Sequence, residues 1–119
     1  MIAGLYDCFN HWSAQGTVWL YSDPHFNDPE VYKNIKNRPS AEELIKMINS
    51  KVGRKDTIIF LGDIVDLECI KKIRGYKVLI AGNHDTKLNE LRKVFDEVYD
   101  GPLFISKKIL FSHDYFCVL

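Results

Sequence analysis

The chain has 119 residues, with 16 Lys+Arg balanced by 16 Asp+Glu and four His. That length sets one domain over residues 1–119 as the expectation, and 46% apolar content excludes a largely disordered chain. The neutral balance excludes a strong non-specific grip on nucleic acid or anionic lipid, and no apolar run approaches the roughly 20 residues of a membrane span.

The first β-type run is Thr17–Ser22, ended by Asp23-Pro24, where proline cannot donate to a ladder. Residues 1–16 stand before it as an N-terminal extension. Residues 28–37 read as a short helix or a loop. Ser40 with Glu43 forms a capping-box pattern that opens a helix carrying Leu44, Ile45, Ile48 and Val52 on one stripe, stopped at Gly53. Thr57–Leu61 is apolar on both faces and predicts a central strand. A short helix is expected over 66–74, a buried strand over 76–81, and an amphipathic helix from the spacing of Leu88, Leu91, Val94 and Phe95. Residues 102–106 and 108–112 predict a hairpin turning at Ser106-Lys107. Strands alternating with helices argue for an α/β domain with parallel pairing.

Four of these strands run directly into polar residues able to bind metal: Asp23 with His25, Gly62-Asp63, Asn83-His84-Asp85, and Ser112-His113. One such strand end means little, because turns recruit Asp and Asn for their own hydrogen bonds. Recurrence at four ends is different, since ligands of open α/β sheets gather beyond the carboxyl ends of the strands. The set mixes carboxylate, imidazole and amide oxygen without thiolate, which suits Mn²⁺, Fe or Zn²⁺ rather than a Cys-zinc site or the all-oxygen cage of Ca²⁺.

The constellation resembles the calcineurin-like metallophosphoesterase superfamily, nearest to its small phage-type or bacterial members. The matching residues are Asp23-Pro24-His25 (D-x-H), Gly62-Asp63, Gly82-Asn83-His84-Asp85 and the His113 of Phe111-Ser112-His113. The resemblance implies an αββα sandwich and hydrolysis of a phosphomonoester or phosphodiester. Asp23 and His25 would bind one divalent ion, Asp63 would bridge two, and Asn83 and His113 would bind the second. Mn²⁺ is the first expectation, with Fe, Zn²⁺ or Ni²⁺ as alternatives. In this chemistry two ions clamp the phosphoryl oxygens and activate a water as the nucleophile. His84 would act as general acid to the leaving alkoxide, with Asp85 orienting it or its loop. The other reading of His84 is a turn residue capping the next helix.

The family's G-H-x-H motif is absent, so the sandwich is expected to be C-terminally incomplete and each metal site to have three protein ligands. A shortened form of a longer protein is the favoured explanation, over a dimer that shares ligands and a degenerate copy that no longer turns over. The apolar residues concentrated over 104–118 predict self-association through an uncovered face. The alternative function is a non-catalytic metal-binding or interaction module on the same scaffold.

Other residues receive plainer readings. His11 is expected to be a surface or packing residue, Asp66 a helix cap, and Asp114 a carboxylate orienting His113. Asn27 and Asp28 either touch substrate or form an Asx-turn. Arg38 is a candidate phosphate ligand, and Trp12 and Trp19 are expected in the core or an interface. A start without basic residues argues against a cleaved signal peptide, and Cys8, Cys69 and Cys117 form no CxxC pair. A reducing cytoplasm and a small phosphoester or nucleotide substrate complete the expectation.

Overall fold

The computed structural model describes residues 3–4, 11–81, 88–101, 103–104 and 110–112. Its centre is a four-stranded parallel sheet of β2 (Val18–Ser22), β3 (Thr57–Leu61), β4 (Tyr76–Ile80) and β5 (Glu97–Tyr99), adjacent in chain order. A second sheet has the order β1 (Ala3–Gly4), β6 (Leu103–Phe104), β7 (Leu110–Phe111), with β1 parallel to β6 and β6 antiparallel to β7. The hairpin partnership of β6 and β7 matches expectation, while its turn lies outside the described residues. The parallel pairing of Ala3–Gly4 has no counterpart in the sequence reading.

Chain-order pairing decides where the helices go. Parallel crossovers are right-handed, so a sheet built in one direction stacks its connections on one face. That face carries α2 (Ala41–Lys51), α3 (Leu67–Lys71) and α4 (Leu88–Leu91), and α1 (Pro29–Asn34), which buries no residue, precedes α2 in the same connection. Ile58, Phe60 and Leu79 from the sheet pack there against Leu44, Ile45, Ile48, Ile70 and Leu91, with Phe95 beside them. Alternation along the strands sends Ile59, Val78 and Ile80 to the opposite face, where Trp12 and Phe111 cover them. Burial of both sheet faces explains why β3 reads as an unbroken apolar run. Trp12 is 2% exposed and Trp19 packs against the first cluster, so both tryptophans serve the core.

Helix ends follow the capping chemistry. Ser40 Oγ accepts from Glu43 N at 3.2 Å. Glu43 answers through its side chain, whose Oε1 accepts from the Ser40 hydroxyl at 3.3 Å. Asp66 caps α3 by accepting from Glu68 N at 3.0 Å, as expected.

Two helices are shorter than their apolar spacing suggests. After α3, Lys72 N donates to Cys69 O and Ile73 N to Ile70 O. These i to i+3 bonds tighten the chain into a turn that reverses at Gly75, φ +93°. After α4, Lys93 N donates to Glu90 O and Val94 N to Leu91 O, a similar tightening that delivers Phe95 to the core and frees the chain for β5. The helical period over 88–95 therefore marks a buried face correctly and overstates the helix length.

Candidate metal centre

The carboxyl ends of β2, β3 and β4 are level, with Ser22 opposite Leu61 and Leu61 opposite Ile80. Asp23, Gly62 and Ala81 thus leave the sheet at one edge. Asp23 N still donates to Leu61 O at 3.4 Å, and His25 N donates to Asp63 O at 3.3 Å, so the two loops are joined backbone to backbone.

In the first loop the burial alternates. Pro24 and Phe26 are fully buried, Phe26 stacked on Tyr21 with centroids 6.2 Å apart. Asp23 is exposed and His25 half-buried between these anchors. Sinking Pro24 and Phe26 into the fold leaves the two polar side chains on the site. In the second loop Asp63 is buried, 8% exposed.

Asp23, His25 and Asp63 come together: one ligand atom from each lies within 4.8 Å of the others. His25 Nε2 faces Asp63 Oδ2 at 3.5 Å. Donors about 2.1 Å from a shared divalent ion are at most about 4.2 Å apart, so this trio is close to a ligand set as it stands. Two carboxylates drawn together at one sheet edge repel each other unless a cation lies between them, and the imidazole adds a neutral nitrogen donor. The residues fit a divalent metal.

The backbone supports the same assignment. Among the described residues, four that are not glycine have positive φ: Asp23 (48°), His25 (43°), Asn27 (58°) and Asp63 (53°). All four lie in these two loops, and Gly62 adds φ 77°. Such conformations are uncommon, cost about 1–3 kcal/mol each, and persist where surrounding structure enforces them.

That enforcement is visible. Asn27 Nδ2 donates to Asp66 Oδ2 at 2.8 Å and approaches Cys69 Sγ at 3.5 Å, tying the first loop to the second and to α3. The Asn27 bond holds the Asp66 carboxyl below its ordinary range. Arg38 donates from Nη2 to the Pro24 carbonyl while its guanidinium lies over the Tyr32 ring, 5.6 Å from the centroid. Asp28 Oδ2 meets His25 Nδ1 at 3.0 Å, and its Oδ1 accepts from Glu30 N at 3.0 Å to cap α1. The contact with His25 is the main reason the Asp28 carboxyl sits below its ordinary value.

Several expectations are resolved by these contacts. Asn27 and Asp28 are committed to the protein's own loops. Arg38 is engaged with a backbone carbonyl beside the site. His11 is exposed and packs edge-on against Tyr76, centroids 6.0 Å apart, away from the carboxylate cluster. Asn83, His84, Asp85, His113 and Asp114 lie outside the described residues, as do Lys107 and Lys108. Sequence reasoning missed the Asp28 contact to His25. Its signal was available as His and Asp at positions i and i+3 across the start of α1.

The sequence matches the calcineurin-like phosphoesterase family over residues 16–118, and the chain belongs to that family. It is 36% identical over 102 residues to the uncharacterized protein MJ1445 of Methanocaldococcus jannaschii, a match covering 74% of this chain and 56% of the relative. It is also similar to the crystal structure of AQ665 from Aquifex aeolicus, a protein of unknown function. That likeness has a TM-score of 0.65 at 25% identity and covers 73% of this chain and 53% of the other. The chain thus spans about half the length of the relatives it matches. Among the described residues no helix is long and apolar enough to cross a membrane.

Proposed function

We propose that this chain is a metal-dependent phosphoesterase domain, acting on a small phosphomonoester, phosphodiester or nucleotide in a reducing cytoplasm. The observation that carries the reading is the Asp23, His25, Asp63 trio at the level ends of two parallel strands. Asp23 and His25 would hold one divalent ion and Asp63 would be shared with a second, for which Asn83 and His113 would be the further ligands. Membership of the family supports the last two, and β4 ends level with β3, three residues before Asn83. Mn²⁺ is the metal proposed.

When bound, the ions supply Lewis-acid stabilisation of the phosphoryl oxygens and acidify the attacking water. The chain's own residues do the rest. The Asp63 carboxylate would offset the repulsion between two cations as a neutral side chain would not. His84 delivers the proton to the leaving oxygen, and Asp85 orients it or its loop. Pro24 and Phe26, sunk into the core, keep Asp23 and His25 in place through turnover.

The test is metal content per chain after Mn²⁺ loading and desalting, with hydrolysis of a model phosphodiester measured alongside. About two ions and Mn²⁺-dependent hydrolysis, both reduced in Asp63→Ala, are expected. Metal retained without hydrolysis would replace the enzyme reading with a non-catalytic metal-binding module. No retained metal in the parent chain would overturn both.

A further inference from the structure

We infer that Asp28 is a positioning residue for the metal centre, fixing the tautomer and ring orientation of His25 so that Nε2 is the nitrogen presented to the metal. This rests on the reading of His25 as a metal ligand.

The His25 backbone is fixed by its N–H bond to Asp63 O, by the buried neighbours Pro24 and Phe26, and by the ties at Pro24 O and Asn27. Rotation of the ring is the freedom that remains. An imidazole offers two nitrogens, and the hydrogen bond made by one decides which lone pair the other exposes. Here Nδ1 lies 3.0 Å from Asp28 Oδ2, while Nε2 looks toward Asp63 Oδ2 at 3.5 Å. An ionised carboxylate only accepts, so the shorter contact places the proton on Nδ1 and leaves the Nε2 lone pair on the side of Asp63, where a shared cation would sit.

Asp28 is itself held. Its other oxygen caps α1, its N–H donates to His25 O at 3.1 Å, and Pro29 follows as the first residue of the helix. The start of α1 therefore acts as a rigid mount. It orients a ligand three residues upstream, in the manner of carboxylate–histidine–metal arrangements.

The two uses of the carboxylate can be separated. Asp28→Ser keeps a good helix cap but is too short to reach the ring, whereas Asp28→Asn keeps both the cap and an acceptor for Nδ1–H. Long-range ¹H–¹⁵N correlation of the metal-free protein at about pH 8, where imidazole is ordinarily neutral, reads the tautomer directly. The expected result is an Nδ1–H tautomer at His25 in the parent and in Asp28→Asn, and a mixture in Asp28→Ser. Titration with Mn²⁺ should show about 10–100-fold weaker binding in Asp28→Ser, largely recovered in Asp28→Asn. An unchanged Nδ1–H tautomer in Asp28→Ser would overturn the inference. So would equal Mn²⁺ affinity in Asp28→Ser and the parent. Failure of the parent to bind Mn²⁺ would instead defeat the metal reading, with the tautomer spectra still deciding what Asp28 does to the ring.

Discussion

Asp23 and Asp63 follow adjacent parallel strands whose last residues are in register, and both adopt left-handed backbone, φ 48° and 53°. A strand directs successive side chains to opposite faces. Left-handed residues just beyond the strands, Asp23 after β2 and Gly62 with Asp63 after β3, break that alternation and bring two carboxylates to one ligand cluster. The energetic cost of the backbone and of the paired negative charges is concentrated at the same place. Charge removal should therefore separate the two costs. Asp23→Asn and Asp63→Asn preserve shape and should each weaken Mn²⁺ binding at least tenfold while raising the metal-free thermal midpoint slightly, because a like-charge contact is lost. Mn²⁺ titration and a thermal melt of the same samples check both halves. A lower affinity accompanied by a lower metal-free midpoint would show that these carboxylates stabilise the apo fold instead.

Asn27 joins the two loops through side chains, Nδ2 to Asp66 Oδ2 at 2.8 Å, from a backbone with φ 58°. Asn27→Gly removes the bridge and relieves the backbone in one step. The opposed effects should leave the urea midpoint within about 0.5 kcal/mol of the parent, as for substitutions without a major structural cause. Mn²⁺ affinity should nevertheless fall by about tenfold, since no compensating term acts on the spacing of the loops. Affinity equal to that of the parent would mean that the backbone bonds at Asp23 and His25 suffice to hold the loops together.

The contrast between what the sequence revealed and what it concealed has a physical basis. Asp23, His25 and Asp63 were legible because each follows an apolar run long enough to identify as a strand, and parallel strands end at a common edge. Their left-handed backbones were not legible, since Asp, Asn and His occupy ordinary turns as readily. Asp28 read as a substrate contact or an Asx-turn, and its partnership with His25 was hidden because the same carboxylate also caps α1, which satisfies the local pattern by itself. β5 escaped because Glu97–Tyr99 is three residues long, begins with a charge, and follows an apolar period that suggests helix through Phe95. The pairing of Ala3–Gly4 with Leu103–Phe104 joins the two ends of the sequence, and a two-residue strand carries no period from which to infer a partner.

Asp56 makes the entry to β3 sensitive to acid. Its carboxylate accepts from Gly53 N at 2.9 Å, Trp19 Nε1 at 3.0 Å and Thr17 N at 2.9 Å, and these bonds, led by Gly53, hold its carboxyl below the ordinary range. A folded value below the unfolded one means that the unfolded chain binds the proton first as pH falls. The stabilisation is thus present above the ordinary carboxylate range and is lost as pH drops through the depressed folded value. Urea unfolding across that range should show Asp56→Ala less stable than the parent at neutral pH, with the gap narrowing in acid. A gap independent of pH would assign the effect of the substitution to packing.

Phe60 is fully buried in β3 and packs against Phe95 edge-on at 5.7 Å and against Tyr21 at 6.0 Å, linking the helical layer to the strand that leads into Asp63. Phe60→Ala should cost about 3–5 kcal/mol, the range for truncating a buried aromatic. For a domain whose whole stability is about 5–15 kcal/mol, that leaves a folded state with little reserve.

A close backbone contact tests the reversal before β4. Gly75 has φ +93°, and a Cβ there would lie 2.8 Å from the Asp56 carbonyl oxygen and 3.2 Å from Val52 Cγ1. The same Asp56 carbonyl accepts from Tyr76 N at 2.9 Å, so it cannot retreat without releasing the first bond of β4. Gly75→Ala therefore combines an unfavourable backbone conformation with a clash against fixed atoms, and should destabilise by at least about 1–3 kcal/mol. Gly53→Ala is the matched control: its nearest contact would be Asp56 Oδ2 at 3.5 Å, an ordinary van der Waals distance. Urea midpoints of the two variants should differ clearly, with Gly75→Ala the lower. If they coincide, the turn at Gly75 has room to rearrange, and the register of β4 against β3 would depend on the strands themselves.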